Sequence, residues 1–336
     1  MRAAVVYEHG PLDRIVLEDN YRDPEAKEGW VRLRVRACSL NYHDIFSRRG
    51  MDGIKLKLPL IIGSDIAGEV ESMGDGVQDW SVGDRVVVDP MPIAETSGGM
   101  IGERFDGGRA EYCVAHATQL IPIPDSVSFE VAAAIPLAYA TAHRMMVTRG
   151  KVAAGETVLV LGASGGVGTA CVLLAKAAGA NVLACASSQD KLDRLTQLGA
   201  DHGINYIDND MRKAVWELVD KPRITGTGGV DLVINSTGGG TWNDSIRCMK
   251  LGGRLVTCGA TAGFNEQVDV RYVWTFEHNL MGSNGWRRTD ITTLLEYAED
   301  KSLLPVIDKV MPLEEIREAE RMIEDREVFG KIIVTP

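Results

Sequence analysis

The sequence predicts an α/β protein in which a β-rich first part precedes a doubly wound parallel sheet. Three observations predict it. Up to about residue 125, short alternating or apolar runs such as 31–37 and 85–88 are separated by Gly, Pro and Asp, the texture of a barrel-like β domain. Beyond that point, apolar runs alternate with helix-like segments, as parallel strands joined by right-handed crossovers do. Within this alternation, TVLVLGASGGVG at 157–168 breaks an apolar run into clustered glycines and continues as TACVLLAKAAGA.

The elements follow in order. Residues 129–147 read as a helical region broken around Pro136, since proline removes a backbone donor. Val158, Leu159, Val160 and Leu161 form an apolar run without alternation, expected of a parallel strand buried on both faces. The glycine turn leads into a helix over 169–178, and 182–186 is the next strand. A helix over 191–198, a strand near 203–206 and a helix around 211–219 come next. They are followed by a strand at 230–235, a helix near 241–249 and a strand at 254–259. The last segment reads helix, helix, strand at 291–300, 313–324 and 331–334, and is placed to return to the first part.

Ala163, Gly165 and Gly168 hold the three places of a G-x-G-x-x-G pattern, with Ser164, Gly166 and Val167 between them. Small residues let backbone approach a phosphate, and the amides at the helix start face an anion with the helix dipole behind them. A glycine turn also arises for packing alone. Here it sits in a strand–helix–strand unit of roughly 30 residues, the setting of a dinucleotide pyrophosphate site. At the tip of the second strand the sequence runs Ala186, Ser187, Ser188, Gln189, Asp190, Lys191. An Asp or Glu usually holds a free ribose 2′-hydroxyl there, but Ser187 takes that place. The hydroxyls of Ser187 and Ser188 with the cation of Lys191 suit a 2′-phosphate, so NADPH is favoured and NADH stays possible. Asp190 fits equally as an acid in the first turn of the next helix, and Lys191 as a solvated helix charge.

Composition fits a soluble enzyme of two parts. The 336 residues, 45% hydrophobic and 25% charged, are ordinary for globular proteins. A net charge of -11 argues against nucleic-acid binding, which leaves a basic footprint. No signal segment or apolar run long enough for a bilayer is read, so no membrane partner is expected and the cytosol is the expected compartment. Six scattered cysteines without a C-x-x-C pair read as buried small hydrophobes.

The whole chain resembles the medium-chain dehydrogenase/reductase superfamily, through MRAAVVYEHG, GDRVVV, DGGRAEYCV, ASGGVG, LGADHGINY, LGGRLVTCG and FGKIIVTP. The resemblance implies a GroES-like catalytic domain at 1–125, a Rossmann cofactor-binding domain at 126–283 and a C-terminal segment at 284–336 returning to the former. It implies Asn41, Ser64 and Leu137 at the three places where zinc forms carry ligating Cys, His and Cys. The 88–107 stretch, where many relatives carry a structural zinc, has no cysteine. No zinc is therefore expected. Asn41, Asp44, Arg48 and Gly50 meet the N-x-x-D-x-x-x-R-x-G pattern of the zinc-independent quinone oxidoreductases, and Gly63, Ser64 and Asp65 meet their G-S-D. Those enzymes reduce the activated double bond of quinones or enones with NADPH. Phe46 stands where many carry tyrosine.

Such chemistry needs placement rather than a metal: donor and acceptor in near-attack geometry, and hydrogen-bond donors near the oxygen that gains charge. Asn41 is the candidate to orient that carbonyl, with Tyr42, His43 and Tyr139 as proton donors or walls. The resemblance places Thr141 near nicotinamide, Asn235 by adenosine, and Cys258, Gly259, Ala260, Ser283 and Asn284 along the cofactor cleft. It brings Lys331 toward a cofactor phosphate. A small carbonyl or quinone substrate and a homodimer or homotetramer are expected. Two alternatives stay open, an NAD(P)-dependent alcohol or aldehyde dehydrogenase and an NADPH-binding structural or regulatory protein with little turnover.

Overall fold

Alternation along one strand shows how the first part is built. In β3 (Trp30–Ser39) Val31, Leu33, Val35 and Ala37 turn inward while Arg32, Arg34 and Arg36 stay outside. That is a half-buried strand. The computed structural model describes residues 1–50, 56–94 and 99–336. They divide into two units, Met1–Tyr139 with Ile291–Pro336, and Ala140–Asp290.

The first unit holds two sheets. β1 (Ala3–Val6) pairs antiparallel with β2 (Ile15–Glu18) and β4 (Leu60–Ile61). The larger sheet runs β15 (Ile307–Pro312), β16 (Lys331–Thr335), β3, β5 (Asp65–Met73), β6 (Arg85–Val88), β8 (Leu120–Pro122), with β7 (Tyr112–His116) also on β3. β16 joins antiparallel to β3, with Val334 opposite Cys38, so the C-terminus is an integral strand of this unit. Helix α1 (Tyr42–Arg49) leaves the end of β3, and α10 (Ile316–Glu324) buries Ile316 and Ala319 in the same core as Leu33, Ile66 and Val334.

The second unit is a six-stranded parallel sheet in the order β11 (His202–Asn205), β10 (Asn181–Ala186), β9 (Thr157–Val160), β12 (Val230–Ile234), β13 (Met249–Thr257), β14 (Asn279–Gly282). Its helices are α3 (Ala140–His143), α4 (Gly166–Ala177), α5 (Gln189–Gln197), α6 (Met211–Val219), α7 (Thr241–Cys248) and α8 (Val270–Thr275). The strand order reverses beside β9, the switch point at which open α/β sheets bind ligands. Leu159, Leu183, Cys185, Val233 and Leu255 form its core. Cys38, Cys113, Cys171, Cys185 and Cys248 are buried thiols, as the composition predicts.

Four local expectations change. Helix α4 begins at Gly166, three residues before Thr169, because the turn itself supplies the first helical residues. The region at 129–147 does not break at Pro136. Helix α2 (Phe129–Ala133) passes into a wide π-type turn, Ile135–Tyr139, then α3 and a second such turn, Arg144–Arg149. Proline cannot donate to the carbonyl four residues back, and the wider turn accommodates it. The C-terminal segment contains β15 between its helices, and β14 was not anticipated. At least half of the residues in each are exposed, and neither shows an apolar run. Residues 95–98 of the 88–107 stretch lie outside the described residues.

Candidate active site

At the end of β9 the chain turns through Gly162, at φ +60°, and returns into α4. A Cβ on Gly168 would lie 2.2 Å from the Gly162 carbonyl oxygen and 2.6 Å from Ala163 Cα, so no side chain fits between helix and turn. A Cβ on Gly165 would meet nothing nearer than 3.6 Å, which leaves an open backbone face. Thr169 donates to the Gly165 carbonyl at 2.8 Å. The N–H groups of Gly166, Val167 and Gly168 precede it in the first turn, where no intrahelical acceptor exists. Ala163 is buried and its N–H donates to Cys185 O at 3.0 Å, tying the turn to β10. Ser164 is half-buried at the rim. This cradle fits a dinucleotide pyrophosphate.

Ser187 and Ser188 follow β10, both half-buried, as is Lys191. Ser188 caps α5, its Oγ accepting from the Lys191 N–H at 3.4 Å, and Asp190 occupies the exposed first turn. The helix dipole alone accounts for that acid.

Beyond β12 and β13 the second unit opens a cleft of about 790 Å³. Cys258, Gly259, Ala260, Ser283 and Asn284 line it together, as the resemblance implies. Ser283 Oγ is buried and lacks a hydrogen-bond partner among the described residues, a donor available to a bound molecule. Burial pushes the Cys258 thiol up to about 11, which keeps it neutral. Thr141 is buried in α3.

Asn235 departs from its expected role. Its Nδ2 donates to Ser245 Oγ at 2.9 Å and to Thr241 Oγ1 at 3.1 Å, while Oδ1 accepts from the N–H groups of Thr237 and Gly238. The amide is spent on shaping the loop that carries Gly238 and Gly239 to the cleft.

In the first unit the end of β3, the start of β5 and strand β16 bring three polar side chains together. Asn41 Nδ2 donates to Asp65 Oδ2 at 2.9 Å, and Lys331 Nζ donates to Asn41 Oδ1 at 2.5 Å and to Leu40 O at 2.7 Å. Lys331 Nζ also lies 3.5 Å from Asp65 Oδ2, whose other oxygen accepts from the Leu137 N–H. Burial pushes the Asp65 carboxyl up to about 6 although the Lys331 ammonium opposes it. Burial likewise pulls the Lys331 ammonium down. Lys331 is therefore corrected from a phosphate contact to a core residue of the first unit, held there by the pairing of β16 with β3.

The remaining candidates divide. The Tyr139 hydroxyl is fully buried and accepts from the Val306 N–H at 2.7 Å. Tyr42 is half-buried and packs edge-on against Phe46, centroids 5.1 Å apart. His43 Nε2 meets Glu103 Oε1 at 2.5 Å. Burial lowers its basicity, but the Glu103 hydrogen bond and charge, with Asp44 and Asp65, outweigh this and hold it above the usual histidine range. Behind α1, Asp44 accepts from the Asn41 N–H at 2.8 Å and from Arg109 Nη2 at 3.0 Å. Arg109 and Arg48 both pair with the buried Glu320 of α10. Asp65 was visible within G-S-D, whereas Glu103 and Glu320 carry no local signal.

The comparisons match this architecture. Residues 27–125 match the family described as Alcohol dehydrogenase GroES-like domain, and residues 166–300 the one described as Zinc-binding dehydrogenase. The Crotonyl-CoA carboxylase/reductase of Cereibacter sphaeroides is 32% identical, over 92% of this chain and 80% of that one. The Quinone oxidoreductase of Homo sapiens is 30% identical over 99% and 97%. The chain is a medium-chain dehydrogenase/reductase. Among solved structures, an NAD-dependent alcohol dehydrogenase superposes with a TM-score of 0.91 at 34% identity, covering all of both chains.

Within the superfamily this dehydrogenase/reductase belongs to the quinone oxidoreductase-like branch and is an oxidoreductase. The zinc that one family description implies does not suit the residues present. Asn41 gives its amide oxygen to an ammonium, Ser64 offers a neutral hydroxyl and Leu137 offers no ligating side chain. None is the thiolate or imidazole that zinc selects. Among the described residues, no group of three or more His, Cys, Asp and Glu could hold a metal ion. No described helix is long and apolar enough to cross a membrane.

Proposed function

We propose that the chain is a zinc-independent, NADPH-dependent reductase of quinones or other α,β-unsaturated carbonyls, acting in the cytosol as a homodimer or homotetramer. The observation that carries this reading is the Asn41–Asp65–Lys331 cluster, which puts a held amide donor where a Lewis acid would be required to act on an alcohol. The cradle of Gly165, Gly166, Val167 and Gly168 would hold the pyrophosphate, Ser187, Ser188 and Lys191 the 2′-phosphate, and Ser283 and Asn284 the cleft end.

Bound NADPH supplies a hydride. Asn41 orients the acceptor carbonyl through an amide N–H and stabilises the oxygen as it gains charge. His43 is the better proton source of the two candidates beside it. The Glu103 hydrogen bond and charge favour its protonated ring. Tyr42 would wall the acceptor.

The test is oxidation of NADPH and NADH with 1,4-benzoquinone, 2-cyclohexenone and an aldehyde, before and after dialysis against a chelator. Benzoquinone or enone turnover that survives chelation supports the reading. Turnover with the aldehyde alone, or loss on chelation, sinks it. The likeness to an NAD-dependent alcohol dehydrogenase at 34% identity supports the second reading, an alcohol or aldehyde oxidoreductase, and the aldehyde arm decides it.

A further inference from the structure

We propose that Lys331 is a positioning residue for this reduction: its buried ammonium fixes the Asn41 carboxamide and strengthens the one remaining amide N–H as donor to the substrate oxygen. The inference rests on the reading of Asn41 given above.

The orientation of the amide is forced by its neighbours. An ammonium has only donors and an ionised carboxylate only acceptors, so Oδ1 must face Lys331 and Nδ2 must face Asp65. The Leu137 N–H on the other Asp65 oxygen marks that group as an acceptor on both sides. One hydrogen of Nδ2 is thereby used. The second has no acceptor among the described residues.

Accessibility separates the three groups. Asn41 keeps 6% of its surface, against 0% for Asp65 and 2% for Lys331, so of the three Asn41 is the most open to a ligand. Lys331 acts from behind. An ammonium bonded to an amide oxygen draws charge from the group, and hydrogen bonds in such a chain strengthen one another in a low-dielectric surrounding. The substrate oxygen meets a neutral, held N–H whose polarity is raised by a cation it never touches.

Structural need alone does not account for the lysine. Burying a charged pair is costly, and replacing both partners together by apolar residues is often neutral or stabilising. Lys331 also holds the Leu40 carbonyl at 2.7 Å, but it is not the only tie on the local backbone. The Asn41 N–H is held by Asp44, itself held by Arg109, and the Leu40 N–H donates to Ile332 O at 2.9 Å through the β16–β3 pairing. Replacing the ammonium should free the side chain of Asn41 and leave its backbone in place.

The experiment compares wild type, Lys331→Met, Asn41→Ala and the double variant. It measures kcat and KM for 2-cyclohexenone and 1,4-benzoquinone at saturating NADPH, NADPH affinity by fluorescence titration, and thermal unfolding. Lys331→Met is expected to lower kcat for the enone by about 10- to 100-fold, less than outright loss of an oxyanion donor. The loss should be smaller for the more electrophilic quinone, with NADPH affinity unchanged and the unfolding temperature lowered, because Asp65 is left buried without its cation. The double variant should be no slower than Asn41→Ala, because residues acting as one unit are not additive. An unchanged kcat in Lys331→Met, or a further full loss in the double variant, overturns the proposal. If the Met variant does not fold, Lys331→Gln, which keeps an uncharged donor, carries the same comparison. A wild type that reduces neither acceptor condemns the underlying reading instead.

Discussion

Lys331 and Asn235 both sit where the family resemblance implies a dinucleotide contact, and both side chains are spent inside the protein. Each is long enough to reach a ligand, yet each has partners that its sequence neighbourhood does not show: Asn41 and Leu40 for the lysine, Thr241 and Ser245 for the asparagine. Ser187 and Lys191 keep their expected place at the β10 tip. Lys191→Ala should lower kcat/KM with NADPH by about tenfold, the worth of one charge-assisted hydrogen bond, and leave NADH within about twofold. Equal loss with both cofactors would remove the case for a 2′-phosphate contact. His43 gives a pH prediction. Its folded pKa lies above the unfolded value of about 6.5. The Glu103 pair therefore contributes stability that is complete below about pH 6.5 and is lost as pH rises through the folded value. His43→Gln should flatten the unfolding temperature across that window, and an unaltered pH dependence would show that the pair contributes nothing.

Two elements carry most of the architecture that positions these side chains. Helix α4 lies so close to its turn that Gly168 admits no Cβ. Gly168→Ala should weaken NADPH binding at least tenfold in a fluorescence titration and cost about 1–3 kcal/mol in denaturant unfolding, the usual range for overpacking. Normal binding by this variant would mean that the turn yields more readily than its backbone contacts indicate. Helix α10 is joined to α1 by buried ion pairs, Glu320 serving both Arg48 and Arg109. Glu320→Gln leaves two buried guanidinium groups short of charge, and about 3–5 kcal/mol of stability should be lost in urea unfolding. The helix itself was legible from its spacing. Its ionic partners, more than 200 residues away in sequence, were not.

At the scale of the whole molecule, the second unit leaves Val270 and Trp274 of α8 and Leu280 of the edge strand β14 exposed. An uncovered edge and exposed apolar side chains favour association, and light scattering should give the mass of a dimer or tetramer. A monomer at micromolar concentration would contradict the expected homo-oligomer.

From its order of residues alone, the chain determined the parallel sheet, the glycine turn and the residue types at the tip of β10 and at Asn41, Ser64 and Leu137. These are local: apolar periodicity, small residues at a turn and side-chain chemistry at one position are each written in a short window. Tertiary structure alone decided what long polar side chains do. Lys331 is carried beneath Asn41 by a strand pairing that closes nearly the whole length of the chain, and Tyr139 is sealed by the N–H of Val306. A buried donor or acceptor takes the partner that folding brings to it, and that partner is chosen by topology rather than by sequence distance.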